Sequence, residues 1–363
     1  MLFIDLKTPH RRAKAAIEAR MNAVLEHGAF IMGPEIDELE QQLAAYVGVS
    51  HALTVGSGTQ ALELALRALD VGPGDEVITP AFSWISSAEV VRLVGAEPVF
   101  VDIEPVGFGV DPRRVEAALT PATKAVIAVS LFGQMPDFEA LDRLCARRGV
   151  TLIEDGAQSF GATQRGRKSG GVARVGCTSF FPAKPLGCYG DGGALFTDDA
   201  ALARAFSELR SHGAAERHHH TRVGTNGRFD TLQAAVLLGK LPCFDDEVQA
   251  RGRIGARYSE RLRDVCVVPE LLPGNTHVYA QYTIRAPDRD ALGGALREAG
   301  IPTAVYYPKC LHQQPVFAGG GGVRGQLLES ERAAREVLSL PMHAYLSEAD
   351  QDRVVEAVKR AIG

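Results

Sequence analysis

The sequence predicts an α/β fold: a mostly parallel central sheet with helices on both faces, followed by a smaller α+β domain. Three observations carry this. Between residues 52 and 154, apolar runs of four to seven residues alternate with stretches of helical periodicity, the pattern of a parallel sheet buried on both faces. Beyond about residue 245 the rhythm changes to shorter strands and helices mixed together. The 363 residues also suffice for two cores. The expected division is a large domain over 1–245, including a helical segment at 1–48, and a small domain over 246–363.

Taken in order, residues 11–27 read as a helix. Pro34 starts a second one, with Ile36, Leu39, Leu43, Tyr46 and Val47 on one face and Gly48 as its stop. Strands are expected at 52–55, 76–79, 97–101, 125–131 and 150–154, with helices at 59–69, 83–94, 112–119 and 137–148 between them. Two further strands, 178–181 and 193–197, bracket the loop discussed next. From Asp199 the chain turns helical, then crosses a polar loop at 218–226. One long helix is expected from Phe229 to about Arg263. The tail reads as a strand at 278–285, a helix at 288–299, a strand at 303–307, a glycine loop at 319–322, and helices at 329–338 and 348–362.

The stretch CTSFFPAKPLGCYGDGGALF, residues 177–196, holds a single lysine, Lys184, between Ala183 and Pro185. Pro182 and Pro185 remove backbone donors on either side, and four glycines follow, so Lys184 sits on a shaped turn rather than in a helix or central strand. A lysine held among apolar neighbours loses hydration of its charged form; its pKa falls and it becomes a nucleophile toward aldehydes. Taken alone, a lone lysine is more often a solvated surface charge.

A net charge of −5 and a pI near 6.1 argue against nucleic acid or an anionic membrane as main partner. Apolar runs fall short of membrane-spanning length, and the first residues have no signal-peptide core, so a cytoplasmic protein is expected. The six cysteines are scattered without metal-ligand spacing and read as reduced thiols. His218, His219 and His220 are adjacent, so their side chains diverge; a structural or substrate-facing role outweighs metal binding.

Gly56-x-Gly58-x-x-Ala61 follows a strand and opens a helix, as a dinucleotide fingerprint does. The ribose-binding acid such a site needs is missing, because the next strand runs into Pro80-Ala81-Phe82. The amides of Gly58, Thr59 and Gln60 at a helix N-terminus still suit a phosphate; Thr59 could equally be only a cap. Asp155 closes a strand at its carboxyl end, as a partner for a protonated ring nitrogen or as an N-cap. Trp84, the sole tryptophan, falls at the same end of the sheet, either as core or as a ring to stack on a cofactor. A phosphate cradle, an acid, a stacking ring and a buried lysine together describe a site for pyridoxal 5'-phosphate.

The segments GPEIDELE, SGTQALELAL, GPGDEVITPAFSW, GAEPVFVDIE, IEDGAQSFGA, SFFPAKPLGCYGDGGALF, RVGTNGRFDTLQAA and IPTAVYYP occur in this order over nearly the whole chain. In this they resemble the DegT/DnrJ/StrS sugar-nucleotide aminotransferases, which implies a fold-type I, aspartate aminotransferase-like transferase. FFPAKPLGCYGDGGA, HHTRVGTNGRFDTLQAA and VYAQYTIR are most similar to the branch that aminates C3 of UDP-2-acetamido-2-deoxy-3-oxo-D-glucuronate in O-antigen synthesis.

The resemblance implies that Lys184 is the Schiff-base lysine and Asp155 the partner of the pyridine nitrogen. Gln158 would contact the phenolic oxygen, Trp84 would stack on the ring, and Ser179 with the amides near Thr59 would hold the phosphate. Asn226 would reach the phosphate of a neighbouring subunit, so that a homodimer shares its active sites. His220, Arg228, Tyr306, Tyr307 and His312 match the nucleotide-sugar region. Arg228 reads equally as a fork for an anionic substrate group or as an ion-pair partner of Asp230. L-Glutamate is the implied donor, with pyridoxamine 5'-phosphate as the intermediate cofactor form.

The chain departs from the family pattern at Gly156, where alanine is usual, at Tyr306, where many relatives have histidine, and at Lys309-Cys310. A dehydrating branch replaces the lysine by histidine; this chain keeps Lys184. Two alternatives stand beside the main reading: the same chemistry on another keto sugar, cyclitol or ketone, and a protein that binds the cofactor without turnover as a regulator.

Overall fold

A computed structural model of the chain describes residues 1–318 and 322–363. The expected glycine loop at 319–322 falls, over 319–321, outside the described residues. Helices α1 (Lys7–His27) and α2 (Pro34–Val47) open the chain. Pro34 stands in the first turn of α2, where its missing N–H costs no bond, and Gly48 ends the helix in the left-handed region at φ 85°. The alternating part follows as β1 (His51–Val55), α3 (Gly58–Ala68), β2 (Glu76–Pro80), α4 (Ser86–Leu93), β3 (Glu97–Val101), α5 (Pro112–Ala118), β4 (Thr123–Val129), α6 (Phe138–Arg148) and β5 (Thr151–Asp155). A short hairpin, β6 (Thr163–Gln164) and β7 (Arg167–Lys168), leads to β8 (Val175–Ser179) and β9 (Gly193–Thr197). Next come α7 (Ala200–Arg210), the small hairpin β10 (Ala214–Glu216) and β11 (His219–His220), α8 (Thr231–Lys240) and α9 (Phe244–Leu262). The tail contributes β12 (Tyr282–Arg285), α10 (Arg289–Glu298), β13 (Gly322–Val323), α11 (Leu328–Glu336), β14 (Val337–Leu340) and α12 (Glu348–Ile362).

Among the described residues, eight strands form the central sheet in the order β1-β9-β8-β5-β4-β2-β3-β13. Its pairs are parallel except the two made by β9, so β9 alone runs against the rest. Side chains alternate across the sheet. Ala125, Ile127 and Ile153 pack toward α3 with Ala61, Leu62 and Ala65, while Val126, Ala128 and Leu152 pack on the other face against Phe138 and Leu141 of α6. A separate core joins Ile254, Tyr258 and Leu262 of α9 to Tyr282, Ile284, Leu338, Leu340, Val354 and Val355.

Four expectations are corrected. The long helix from Phe229 breaks into α8 and α9 across a 3-10 turn at Leu241–Cys243, because Pro242 has no N–H and its ring crowds the preceding turn. The strand expected at 278–285 holds only as β12. Before it, Val278 and Gln281 donate to the carbonyls of Gly133 and Phe132 instead of a ladder. Residues 303–307 make one bridge, Ala304 to Ser339, rather than a strand. The helix expected at 329–338 stops at Glu336, and Val337–Leu340 pairs with β12 as a buried strand.

Candidate active site

Parallel strands bring their carboxyl ends to one edge of the sheet, where ligands of open α/β sheets bind. Here that edge carries Asp155 at the end of β5, Ser179 at the end of β8, the start of α3, and Trp84 shortly after β2. These residues face one cavity of about 650 Å³, which Lys184, Gln158, Tyr306 and Tyr307 also line. The turn that presents Lys184 is tightly closed. Its amide donates to the Phe181 carbonyl at 2.8 Å, and Cys188 donates to that of Phe180 at 2.8 Å. Gly187 presses so closely on Pro182 that a Cβ there would lie 2.5 Å from its carbonyl oxygen.

At the start of α3 the structure revises the sequence reading. Ser57, not Thr59, is the cap: its hydroxyl accepts from the Gln60 amide at 3.1 Å. The Gln60 amide is therefore occupied, and its side chain turns back to accept from Gly56 N–H at 3.1 Å. Gly58 and Thr59 remain as the first-turn amides without an intrahelical acceptor. Thr59 Oγ1 lies 2.7 Å from Ser86 Oγ. Gly58 allows the helix to sit directly on β8, since a Cβ at 58 would be 2.8 Å from that of Ser179.

Lys184 and Asp155 act on each other electrostatically. Lys184 opens onto the cavity but lies deep in the protein; burial lowers its pKa, and the Asp155 charge opposes that. Burial raises the Asp155 carboxyl, opposed by the Ala157 amide, which donates to Oδ1 at 3.1 Å, and by Lys184. Gln158 is held at both ends of its amide: Oε1 accepts from Phe132 N–H at 2.7 Å, and Nε2 donates to Tyr307 Oη at 3.2 Å. Nε2 keeps a second hydrogen.

Behind Asp155, on the opposite face of the sheet, the fully buried Glu154 accepts from Ser130 Oγ (3.1 Å), Ser169 Oγ (2.7 Å) and Gly170 N–H (2.7 Å). The departure at Gly156 belongs to this network: an alanine methyl there would lie 2.7 Å from Ser169 Oγ.

Trp84 is 56% exposed and lies against Tyr307, ring centroids 5.7 Å apart, so it is not a core residue. Five predicted residues are not on this cavity: Gln60, whose amide and side chain are both used within its own turn, Asn226, Arg228, His220 and His312. Asn226 and Arg228 do not line it, although Gly227 between them accepts from the Gly56 amide at 3.1 Å at the start of α3; Arg228 Nε donates to Asn226 Oδ1 at 3.0 Å. The ion pair of Arg228 with Asp230 does not form. His220 stands exposed on β11, its Nδ1 2.9 Å from the His212 carbonyl. His312 Nε2 lies 3.3 Å from Glu331 Oε1. Ser83 and Gln281 line the cavity without having been anticipated, and Ser83 Oγ and Gln281 Oε1 are buried with no protein partner. Only tertiary packing brings them there.

These orphaned polar atoms, the two first-turn amides beside Ser179, the stacking ring and the paired lysine and acid fit a flat, phosphorylated aldehyde. Fold and site together define a pyridoxal phosphate-dependent transferase of fold type I.

The family described as DegT/DnrJ/EryC1/StrS aminotransferases matches residues 11–359, and the chain belongs to it. It is 49% identical over 348 residues to a UDP-2-acetamido-2-deoxy-3-oxo-D-glucuronate aminotransferase of Pseudomonas aeruginosa, covering 96% of each chain. A protein of Geobacillus stearothermophilus called a pleiotropic regulatory protein is 45% identical over 359 residues, covering 98% of this chain and 96% of the other. Among solved structures, a DegT DnrJ EryC1 StrS aminotransferase from Brucella abortus superimposes with a TM-score of 0.98 at 43% identity over 100% of both chains. NtdA of Bacillus subtilis, with bound cofactor PMP, gives 0.91 at 30% identity over 100% of this chain and 85% of that one. The chain is thus an aminotransferase, and its cofactor is pyridoxal 5'-phosphate.

Proposed function

We propose that this aminotransferase moves the amino group of L-glutamate to C3 of UDP-2-acetamido-2-deoxy-3-oxo-D-glucuronate. The chemistry rests on one observation: a half-buried lysine and a buried acid share a cavity at the carboxyl edge of the sheet. The acceptor rests on the 49% identity to the Pseudomonas aeruginosa enzyme. When bound, the cofactor supplies a carbonyl that exchanges with amines and a ring that takes up an electron pair. Lys184 supplies the amine at that carbonyl. Its lowered pKa favours the neutral form, which would take the proton from the donor's α-carbon and deliver it to the carbon that had carried the cofactor's carbonyl. Asp155 keeps a ring nitrogen protonated. Gln158, fixed by Phe132 and Tyr307, directs its remaining Nε2 hydrogen to the phenolic oxygen. Gly58, Thr59 and Ser179 hold the phosphate, and Trp84 covers the ring. Tyr306 and Tyr307 border the space for the sugar.

Asn226, Arg228 and His220 serve the site of a second copy, so the working unit is a homodimer. Arg228 has no carboxylate within 4.0 Å among the described residues, and it suits a diphosphate or carboxylate of the nucleotide sugar. The test is direct: purified holoenzyme with L-glutamate and the keto sugar nucleotide should yield 2-oxoglutarate and a 3-amino product, read by mass spectrometry. Cofactor-loaded protein that forms neither would overturn the proposal. A second reading, cofactor binding without turnover, is favoured by the name of the Geobacillus stearothermophilus relative, and the same assay decides between them.

A further inference from the structure

Beside the cofactor cavity lies a second recess of about 250 Å³, and Ile4, Ala183 and Lys184 are walls of both. Two further cations border it, Lys240 at the end of α8 and Arg251 in α9. Arg251 is only 6% exposed. Its Nη1 donates to the Tyr279 carbonyl at 3.0 Å, and its Nε is buried without an acceptor. The Lys240 ammonium donates to the Gly187 carbonyl, in the lysine turn itself, and lies 5.7 Å from the centre of the Tyr189 ring. Burial lowers the pKa of both cations. Among the described residues neither has a carboxylate oxygen within 4.0 Å.

The recess does contain two acids, but each is engaged elsewhere. Asp5 accepts from the Lys7 and Thr8 amides, both at 2.9 Å, and from the Thr8 hydroxyl at 2.5 Å. Glu247 accepts from Tyr345 Oη at 2.5 Å and tempers the charge of Lys240 and Arg251 without pairing with either. With Lys7 at the rim, and Lys184 set aside as the neutral amine, the lining carries three cationic side chains against two carboxylates. A buried cation without a counter-ion is costly, and an anionic ligand relieves that cost. The ligand must be small, and its other end must be able to reach Lys184 through a shared wall. The amino donor meets both conditions: its amine is needed at Lys184, and a second carboxylate would lie among the cations.

We infer that this recess holds the side-chain carboxylate of a dicarboxylic amino donor, with Lys240 and Arg251 as its binding groups. This rests on the reading that glutamate is the donor, and it predicts a preference for glutamate over monocarboxylic amino acids of similar size.

The experiment follows the cofactor spectrum of the holoenzyme during single turnover with glutamate, in wild type, Lys240→Met, Lys240→Arg and Arg251→Met. The half-saturating glutamate concentration should rise at least about tenfold in Lys240→Met and Arg251→Met, with Lys240→Arg closer to wild type. Separately, glutarate, a dicarboxylate without an amine, is titrated calorimetrically into the wild-type holoenzyme and Lys240→Met, with inorganic phosphate as a control anion. Wild type should bind glutarate in preference to phosphate, and Lys240→Met should lose most of that affinity. If Arg251→Met does not fold, Lys240→Met decides. Wild type converted by glutamate with both methionine variants half-saturating at the same concentration would overturn the recess and leave the aminotransferase reading intact. Wild type that fails to react with glutamate yet binds glutarate through Lys240 would overturn the donor and keep the recess as a dicarboxylate site.

Discussion

At the scale of single residues, the site depends on charges held where water does not stabilise them. Lys184→Ala should abolish transamination. It should also remove the pyridoxyl adduct that borohydride leaves on the wild-type peptide containing residue 184, as read by mass spectrometry. Asp155→Ala should slow the half-reaction with glutamate by about a hundredfold or more in stopped-flow spectra, since the ring nitrogen loses its proton-stabilising partner. Glu154 offers a test that does not involve turnover. Burial pushes its carboxyl up from 4.5 to about 7, against hydrogen bonds from Ser169, Gly170 and Ser130 that favour the charged form. The folded state therefore binds more protons than the unfolded one between about pH 4.5 and 7, and this contribution to stability is lost as pH rises through that window. The loss is on the order of 3 kcal/mol. Glu154→Gln cannot titrate, so urea unfolding at pH 5 and 7.5 should show wild type losing stability relative to the variant as pH rises.

At the scale of elements, α3 shows what the sequence could and could not reveal. A glycine pair between an apolar strand and a helical stretch located the turn and the phosphate-suited helix start, because those signals are local. Which hydroxyl caps the helix was not legible, since Ser57 and Thr59 are both able to do so; the backbone path selects Ser57 and uses the Gln60 amide. The broken helix at Pro242 was legible in principle, because proline inside a helical pattern ends or kinks it, but the apolar periodicity on both sides masked the break. Ser83 and Gln281 carried no local signal, since only tertiary packing brings their segments to one cavity. The same element gives a prediction. Gly58→Ala places a Cβ 2.8 Å from that of Ser179, so the first turn of α3 must move off β8. The variant should stay folded by circular dichroism but hold the cofactor at least about tenfold more weakly on dialysis, whereas Ser57→Ala should mainly lower stability, by about 1 kcal/mol.

At the scale of the whole molecule, the alternating strands and helices gave the architecture directly, and the proline-flanked lysine marked the edge of the sheet that matters. What one chain does not supply is the surface bearing Asn226 and Arg228, which lies off the cavity that holds Lys184. If a second copy brings that surface to the cavity, each site takes Lys184 from one chain and Asn226 from the other. Lys184→Ala and Asn226→Ala homodimers would then each lack one component in both sites. In a mixed dimer, one site would collect both defects and the other would be intact. Co-expression at equal levels gives half mixed dimers, each with one working site of two, so about a quarter of wild-type activity should return. Differently tagged chains purified in tandem isolate the mixed dimer, which should reach about half. Activity no greater than the sum of the two parents would show that each chain completes its own site, and Asn226 would then have no part in holding the phosphate.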